Sequence, residues 1–148
     1  MKKGKEKQAV SLENHVSFSL YATAKEMVRA CQPELSDLGL TYTQYLAMTV
    51  IWETKTVHLK TIGDAIFLDS GTLTPLLRKL EAKGLITRER LRSDERAMSI
   101  GLTAKGKALQ KRAKHIPELL AGKLGLSTEE LATLQQLMRK SLVNLGKR

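Results

Sequence analysis

Aromatic side chains are scarce in this chain of 148 residues, where Phe, Tyr and Trp together make up 4% of the sequence. Proteins that bind single strands of nucleic acid stack the bases on aromatic rings, so this scarcity argues against that activity. The sequence holds one cysteine, which excludes an intrachain disulfide and fits a reducing compartment. No apolar run approaches the roughly 20 residues that a membrane-spanning helix requires. We therefore expect a cytoplasmic protein with no membrane partner.

Residue types that carry catalysis or bind metals are not grouped in the sequence. The three histidines are scattered, and none stands at metal-ligand spacing from a carboxylate or the cysteine. The sequence shows no nucleophile–base pair and no glycine-rich phosphate loop. We expect no metal, no cofactor and no enzymatic activity.

Positive charge, in contrast, is abundant: the formal net charge is +10 and the pI is near 9.9. Such a surface attracts polyanions, with nucleic acid as the first candidate and an anionic membrane surface as the second. Residues 1–11 are basic with no apolar stretch behind them, so we expect a flexible tail, or a DNA-touching arm, rather than a secretory signal. We expect residues 12–148 to form a single globular domain.

Residues 68–80 are the most informative segment and read as a short amphipathic helix. Its apolar face is a set of leucines at helical spacing: Leu73, Leu76, Leu77 and Leu80. Its other face carries short hydroxyls and cations: Ser70, Thr72, Thr74, Arg78 and Lys79. Short hydroxyls let the backbone come close to a duplex, and Arg and Lys reach base edges or phosphates. The segment therefore suits a DNA major groove.

The N-terminal half of the chain reads as helices. Apolar periodicity predicts one long helix from about residue 12 to residue 38, with Gly39 as its stop signal. Thr41 and Gln44 have capping-box spacing, so a second helix should begin near Thr43. A short third helix is predicted at 59–66, directly before the leucine-faced segment.

After the leucine-faced helix the periodicity changes to that of strands. Residues 85–91 and 97–102 should form a hairpin with a charged tip at 92–96. Thr103 is expected to cap a fifth helix that runs to about residue 122 with a kink at Pro117. Ser127 and Glu130 have the spacing of another capping box, which predicts a last helix.

This order predicts a mainly α protein with a small β-hairpin. Residues 57–102 match a winged helix-turn-helix, in which the hairpin is the wing. The terminal helices, at 12–40 and 103–148, hold more apolar residues than a lone winged domain needs. We expect them to form a helical dimerisation region, and the alternative is that they thicken one monomeric core.

Several strings in this order resemble the MarR family of transcription regulators. They are Leu68 to Leu77, Leu80-Glu81 through Gly84-Leu85-Ile86, Asp94-Glu95-Arg96, and Leu102-Thr103 with Lys105-Gly106. Within the family, Leu12-Glu13-Asn14, Phe18, Leu20-Tyr21, Leu40-Thr41-Tyr42 and Gln44-Tyr45-Leu46 resemble the OhrR subgroup, which senses organic hydroperoxides. The resemblance implies a homodimer on double-stranded DNA with a pseudo-palindromic operator.

The resemblance also implies which residues meet the DNA. The groove-facing positions correspond to Ser70, Gly71, Thr72, Thr74, Pro75 and Arg78. Asp94 and Arg96 correspond to the family's wing pair, whose carboxylate orients a guanidinium toward the minor groove; the alternative is an exposed ion pair without further role. Arg88 and Arg90 alternate with Arg92 along one strand, and we expect some of these arginines to touch phosphates.

The sequence departs from the subgroup at its reactive position. The residue before Phe18 is a cysteine in the subgroup pattern and Ser17 here, and a serine hydroxyl cannot follow the thiol oxidation chemistry. Three interpretations remain open: Ser17 replaces a cysteine by engineering, Ser17 is natural and the protein senses something else or nothing, or the redox function moved to Cys31.

The resemblance further implies a sensor pocket. Tyr42 and the position of Cys31 match tyrosines that reach the reactive residue of the partner subunit, and Tyr21 matches another tyrosine near it. The alternative for Cys31 is inert packing, because it falls on the apolar stripe of its helix. Trp52 and Phe67 are expected to be core residues.

Together these features predict a dimeric, sequence-specific DNA-binding regulator, most simply a repressor, that resembles hydroperoxide-responsive regulators. The inducer would be a peroxide. In the alternative, a small amphipathic or phenolic ligand releases the DNA without thiol chemistry. A sequence-blind binder that uses charge alone is a further alternative, and it would show no preference for an operator over unrelated DNA.

Overall fold

The computed structural model describes residues 11–91 and 94–146, and it describes only the backbone of residues 13, 91 and 94–97. The expected tail therefore lies almost wholly outside the described residues. A single 3₁₀ turn at Leu12–Asn14 leads into the first helix. The elements then follow as α1 Val16–Ala30, α2 Gln32–Asp37, α3 Tyr42–Thr54, β1 Thr56–His58, α4 Leu59–Ile66, α5 Ser70–Ala82, β2 Ile86–Leu91, β3 Asp94–Leu102, α6 Ala104–Ala113, α7 Ile116–Lys123 and α8 Thr128–Gly146.

Local signals placed the middle helices correctly. The Thr41 hydroxyl accepts a hydrogen bond from the backbone amide of Gln44, and the Gln44 side-chain oxygen accepts one from the backbone amide of Thr41. The predicted capping box therefore starts α3. The predicted third helix is confirmed as α4. The predicted mainly α fold with a small sheet is confirmed as well.

The long first helix was a wrong prediction, because the chain turns at Cys31. Pro33 has no amide hydrogen to donate to the Arg29 carbonyl, and its ring would collide with that carbonyl in a continuous helix. The helix α1 therefore ends at Ala30. Pro33 instead occupies the first turn of α2, where a missing amide costs nothing.

The same physics corrects the predicted fifth helix, which is two helices rather than one kinked helix. Thr103 caps α6 as expected, accepting a hydrogen bond from the Gly106 amide at 3.0 Å. The helix ends at Ala113, and α7 begins at Ile116 with Pro117 in its first turn. The proline therefore starts a helix instead of bending one.

The sheet has three antiparallel strands in the order β1-β3-β2, so the predicted hairpin is joined by a strand that the sequence did not reveal. Val57 of β1 pairs with Ile100 of β3, and both side chains are buried. The strand β3 begins at Asp94, so residues 94–96 belong to the strand and not to the predicted tip at 92–96. The pairing is irregular between Arg90 and Leu91, at the outer end of the wing.

The core lies among α2 to α7 and the inner ends of the strands. Its largest fully buried side chains are Leu35, Met48, Ile51, Ile62, Leu73, Leu77, Leu80, Ile86, Ile100 and Ile116. Trp52 is buried as expected, and its indole nitrogen donates to the Gly106 carbonyl at 2.9 Å. A Cβ at Gly106 would collide with the Leu85 backbone, so α6 packs closely against the start of β2. These contacts fix the C-terminal helices to the winged part of the fold.

The two outermost helices, α1 and α8, bury none of their residues within one chain. None of the helices in the described ranges is long and apolar enough to cross a membrane.

Candidate nucleic-acid interface

The helix α5 turns its polar face outward. Its four leucines, Leu73, Leu76, Leu77 and Leu80, are buried. The residues that share the opposite face are exposed: Ser70, Gly71, Thr72, Pro75, Arg78 and Lys79. Thr74 is half-buried at the border. Gly71, Pro75 and Arg78 share one exposed side at helical spacing. Gly71 has no side chain and Pro75 a compact one, so the backbone can approach a groove floor there.

Asp69 caps this helix, a role that was not recognised from the sequence. One carboxylate oxygen accepts from the Thr72 amide at 2.9 Å, and the other accepts from the Thr72 hydroxyl at 2.9 Å. The hydrogen bond from the Thr72 amide contributes most, and together the two bonds hold the pKa of Asp69 below its ordinary value. An Asp directly before the first helical residue is the signal that would have identified the cap.

The cap also fixes what Thr72 can offer to a ligand. Because its hydroxyl proton is donated to Asp69, the oxygen presents only its acceptor lone pairs to other partners. It is therefore suited to accept from a base amino group.

The turn between α4 and α5 is tightly built. The Leu68 amide donates to the Gly63 carbonyl at 2.9 Å. A Cβ at Gly63 would lie 2.7 Å from the Leu68 carbonyl oxygen, so only glycine lets the chain fold back so closely. Phe67 sits in this turn with a positive φ of 57° and is 56% exposed. The prediction that Phe67 is a core residue was therefore wrong.

In the wing, the two described arginines differ in their surroundings. The Arg88 side chain is 17% exposed, and its Nε donates to Glu81 of α5 at 2.8 Å. Arg90 is exposed. The side chains of Asp94 and Arg96 lie outside the described residues, so the wing pair stays a prediction.

The expected sensor residues divide into two groups within one chain. Ser17 and Tyr21 are exposed one turn apart on α1. Cys31 is fully buried and lies near Tyr42. The pKa of Tyr42 is raised, mainly because its hydroxyl is buried and to a smaller extent because the Cys31 sulfur is close. Ser17 is 14 residues before Cys31, which is about 21 Å along a helix. One chain therefore does not bring the two groups together.

Cys31 has the environment of an unreactive thiol. Its sulfur donates to the Val28 carbonyl at 3.3 Å. Burial raises the pKa of the thiol, and this effect exceeds the opposing backbone hydrogen bond. Nearby, Lys123 lies 3.6 Å from Glu34 and donates to the Ala30 carbonyl at 2.8 Å. The thiolate, which is the reactive form, is therefore disfavoured at neutral pH.

Across residues 11–91 and 94–146, no three His, Cys, Asp or Glu side chains are grouped so that they could hold a metal ion. The polar face of α5, its tight turn and the neighbouring wing have the arrangement of a winged helix-turn-helix.

Residues 29–113 match the family described as transcriptional regulator SarA/Rot. The chain is 42% identical over 136 residues to the organic hydroperoxide resistance transcriptional regulator of Bacillus subtilis, covering 92% of each protein. It superposes on reduced AbfR bound to DNA with a TM-score of 0.74 and 32% identity, covering 90% of this chain and 94% of that one. AbfR is a Staphylococcus epidermidis protein.

A MarR mutant from E. coli in complex with operator DNA gives a TM-score of 0.78 at 25% identity, covering 86% of this chain and 93% of that one. The chain therefore belongs to the MarR family of transcription regulators, and the predicted family and winged-helix fold are confirmed by these relatives.

Because Arg88 is paired with Glu81 and Arg90 is exposed, we expect substitutions of the two arginines to have different effects. We expect Arg88→Gln to lower the free energy of unfolding by about 1 kcal/mol and to leave the salt dependence of DNA binding unchanged. Arg90→Gln should lower the salt slope by about one unit, because an exposed phosphate contact releases about one counterion. Urea denaturation measures the free energy of unfolding, and binding titrations over a salt series measure the salt slope.

Glu81→Gln provides the matched control for this pair. It should reproduce the stability loss of Arg88→Gln, and the double variant should lose little more, because the partners share one interaction. A salt slope that falls in Arg88→Gln as it does in Arg90→Gln would mean that Arg88 contacts phosphate.

Proposed function

We propose that this chain is a homodimeric, sequence-specific DNA-binding repressor whose α5 enters the major groove. The observation that carries the proposal is the outward polar face of α5, held in place by the buried leucines on its other side. The formal charge of +10 supplies the attraction to the phosphate backbone. The DNA complexes of AbfR and of the E. coli MarR mutant support the same use of this fold.

Each exposed group on the face has a distinct task in the proposal. Arg78 donates to a guanine edge, the contact for which its planar fork is suited. Thr72 accepts from a base amino group, a role that its bond to Asp69 supports. Lys79 and Arg90 neutralise phosphates on either side of the groove. The proposed wing pair, Asp94 and Arg96, would reach the adjacent minor groove.

A second copy of the chain completes the protein in this proposal. The helices α1, α7 and α8 leave an apolar groove of about 590 Å³ between them, lined by Leu20, Met27, Leu124, Leu134 and Met138 among others. Further large apolar side chains on α8 are exposed: Leu137, Leu142, Val143 and Leu145. Soluble monomers rarely expose so continuous an apolar surface. We infer that these helices pair with their counterparts and set the spacing of the two α5 helices.

Arg78→Gln tests the proposed groove contact. The DNA probe is a duplex selected from a random-sequence pool by the wild-type protein. We expect the variant to lose about tenfold or more in affinity for that duplex, because one good bidentate contact discriminates by about 1–3 kcal/mol. Binding to unrelated duplexes should weaken much less, so the specificity ratio falls.

Lys114→Gln removes the same charge from another surface, where Lys114 lines a depression with Tyr45 and Pro117. It should leave the specificity ratio unchanged. The proposal fails if Arg78→Gln and Lys114→Gln affect the selected duplex equally, or if the wild type enriches no sequence from the pool.

We further propose that the chain as it stands does not release DNA by thiol oxidation. Ser17 offers no thiol, and Cys31 is buried with a raised pKa. These two observations favour release by a small amphipathic ligand over hydroperoxide sensing. The similarity to the Bacillus subtilis hydroperoxide regulator supports the interpretation that Ser17 replaces a sensing cysteine, which was lost naturally or removed by engineering.

Treatment with an organic hydroperoxide distinguishes these mechanisms. We expect wild-type binding to the selected duplex to survive the treatment, because a buried neutral thiol reacts slowly. Ser17→Cys should gain peroxide-dependent release that thiol reductants reverse, since position 17 is exposed. Cys31→Ser is the matched control and should behave as the wild type. Peroxide-dependent release that the wild type shows and Cys31→Ser lacks would instead assign the sensing to Cys31.

A further inference from the structure

Phe67 holds a conformation that its residue type does not favour. Its φ of 57° and ψ of 38° place it in the left-handed region, at the end of α4. A bulky residue there is uncommon, and Gly or Asn makes the same turn at lower cost. The turn itself therefore needs the backbone conformation of position 67 and does not need an aromatic ring.

The core does not need the ring either. Phe67 is 56% exposed, whereas its neighbours Ile66 and Leu68 pack against the core. In the free protein Phe67 is unfavourable in two ways, because its apolar ring is exposed to water and its backbone is in the left-handed region. Strained residues of this kind concentrate at functional sites.

The ring lies beside the part of α5 that the proposed function places in the major groove. It lines a depression of about 460 Å³ together with Ser70 at the start of α5 and Lys60 on α4. Two acidic residues, Asp64 and Asp69, also line this depression. The Asp69 carboxylate is already bound by Thr72, and Lys60 is exposed and cationic. The Phe67 ring thus adds an apolar group to the exposed surface that runs from α5 toward α4.

We propose that Phe67 is a DNA-contacting residue whose ring packs on the C5-methyl group of a thymine at the edge of each half-site. This inference rests on the proposed function, because it requires α5 to lie in the major groove. A phenyl ring has no donor for phosphates or base edges, and the thymine methyl is the one apolar group that the major groove displays. The contact makes position 67 a specificity determinant.

The test uses Phe67→Asn, since Asn accepts the left-handed conformation and lacks the ring. Phe67→Tyr keeps the ring and serves as the matched control. Both variants and the wild type are titrated with the duplex that the wild type selects from a random pool. They are then titrated with versions of this duplex in which single thymines are replaced by deoxyuridine, which lacks only the methyl group.

For one thymine per half-site, we expect deoxyuridine to weaken wild-type binding about fourfold, the change that burying one methyl group gives. Phe67→Asn should bind the original duplex more weakly, be indifferent to that replacement and keep the wild-type salt slope. Its thermal midpoint should be no lower than that of the wild type. Phe67→Tyr should retain the response to deoxyuridine.

Equal affinity of Phe67→Asn and the wild type for the selected duplex would overturn the inference and leave the proposed function intact. The same holds if every deoxyuridine effect persists in Phe67→Asn, or if the variant binds DNA normally and loses a protein partner. If the wild type enriches no sequence, the proposed function itself has failed.

Discussion

Burial of the leucine face of α5 is the constraint on which the rest of the structure depends. Leu73, Leu77 and Leu80 are fully buried against α3, α4 and the sheet. Removing such side chains from water stabilises the fold by about 1.5–3 kcal/mol each, so the helix has one favourable rotation about its axis. That rotation directs Gly71, Pro75 and Arg78 outward. The same apolar packing that stabilises the domain therefore determines which groups can meet a ligand.

Hydrogen bonds and close packing at both ends of α5 hold this face in a defined place. The Asp69 cap and the contact between Gly63 and Leu68 fix its start, and the ion pair from Glu81 to Arg88 joins its last turn to the wing. The Trp52 bond to Gly106 connects α3 in the winged part to α6, the first of the C-terminal helices. In the proposed dimer, a rearrangement of α1, α7 and α8 would change the spacing of the two α5 helices by moving each winged part as a rigid element.

The sequence predicted those elements whose signals are local. The bounds of α4 follow from apolar periodicity, whereas α5 begins and ends two residues later than the predicted segment 68–80. Thr41 with Gln44 marks the start of α3 by spacing alone. The helix breaks near Cys31 and before Pro117 were missed because a proline can bend, stop or start a helix, and packing selects among these outcomes. The three-residue strand β1 is too short for periodicity to reveal.

Parts of the candidate site depend on contacts between distant residues, and sequence patterns do not show them. The partner of Arg88 is seven residues away on another element, and Phe67 is exposed in a turn where it has a positive φ. The direct test of the central claim is protection of guanine N7, a major-groove atom, from methylation in the selected duplex. The account predicts two protected clusters about 10 base pairs apart on one face of the DNA. Unprotected N7 atoms, or a single cluster, would contradict it.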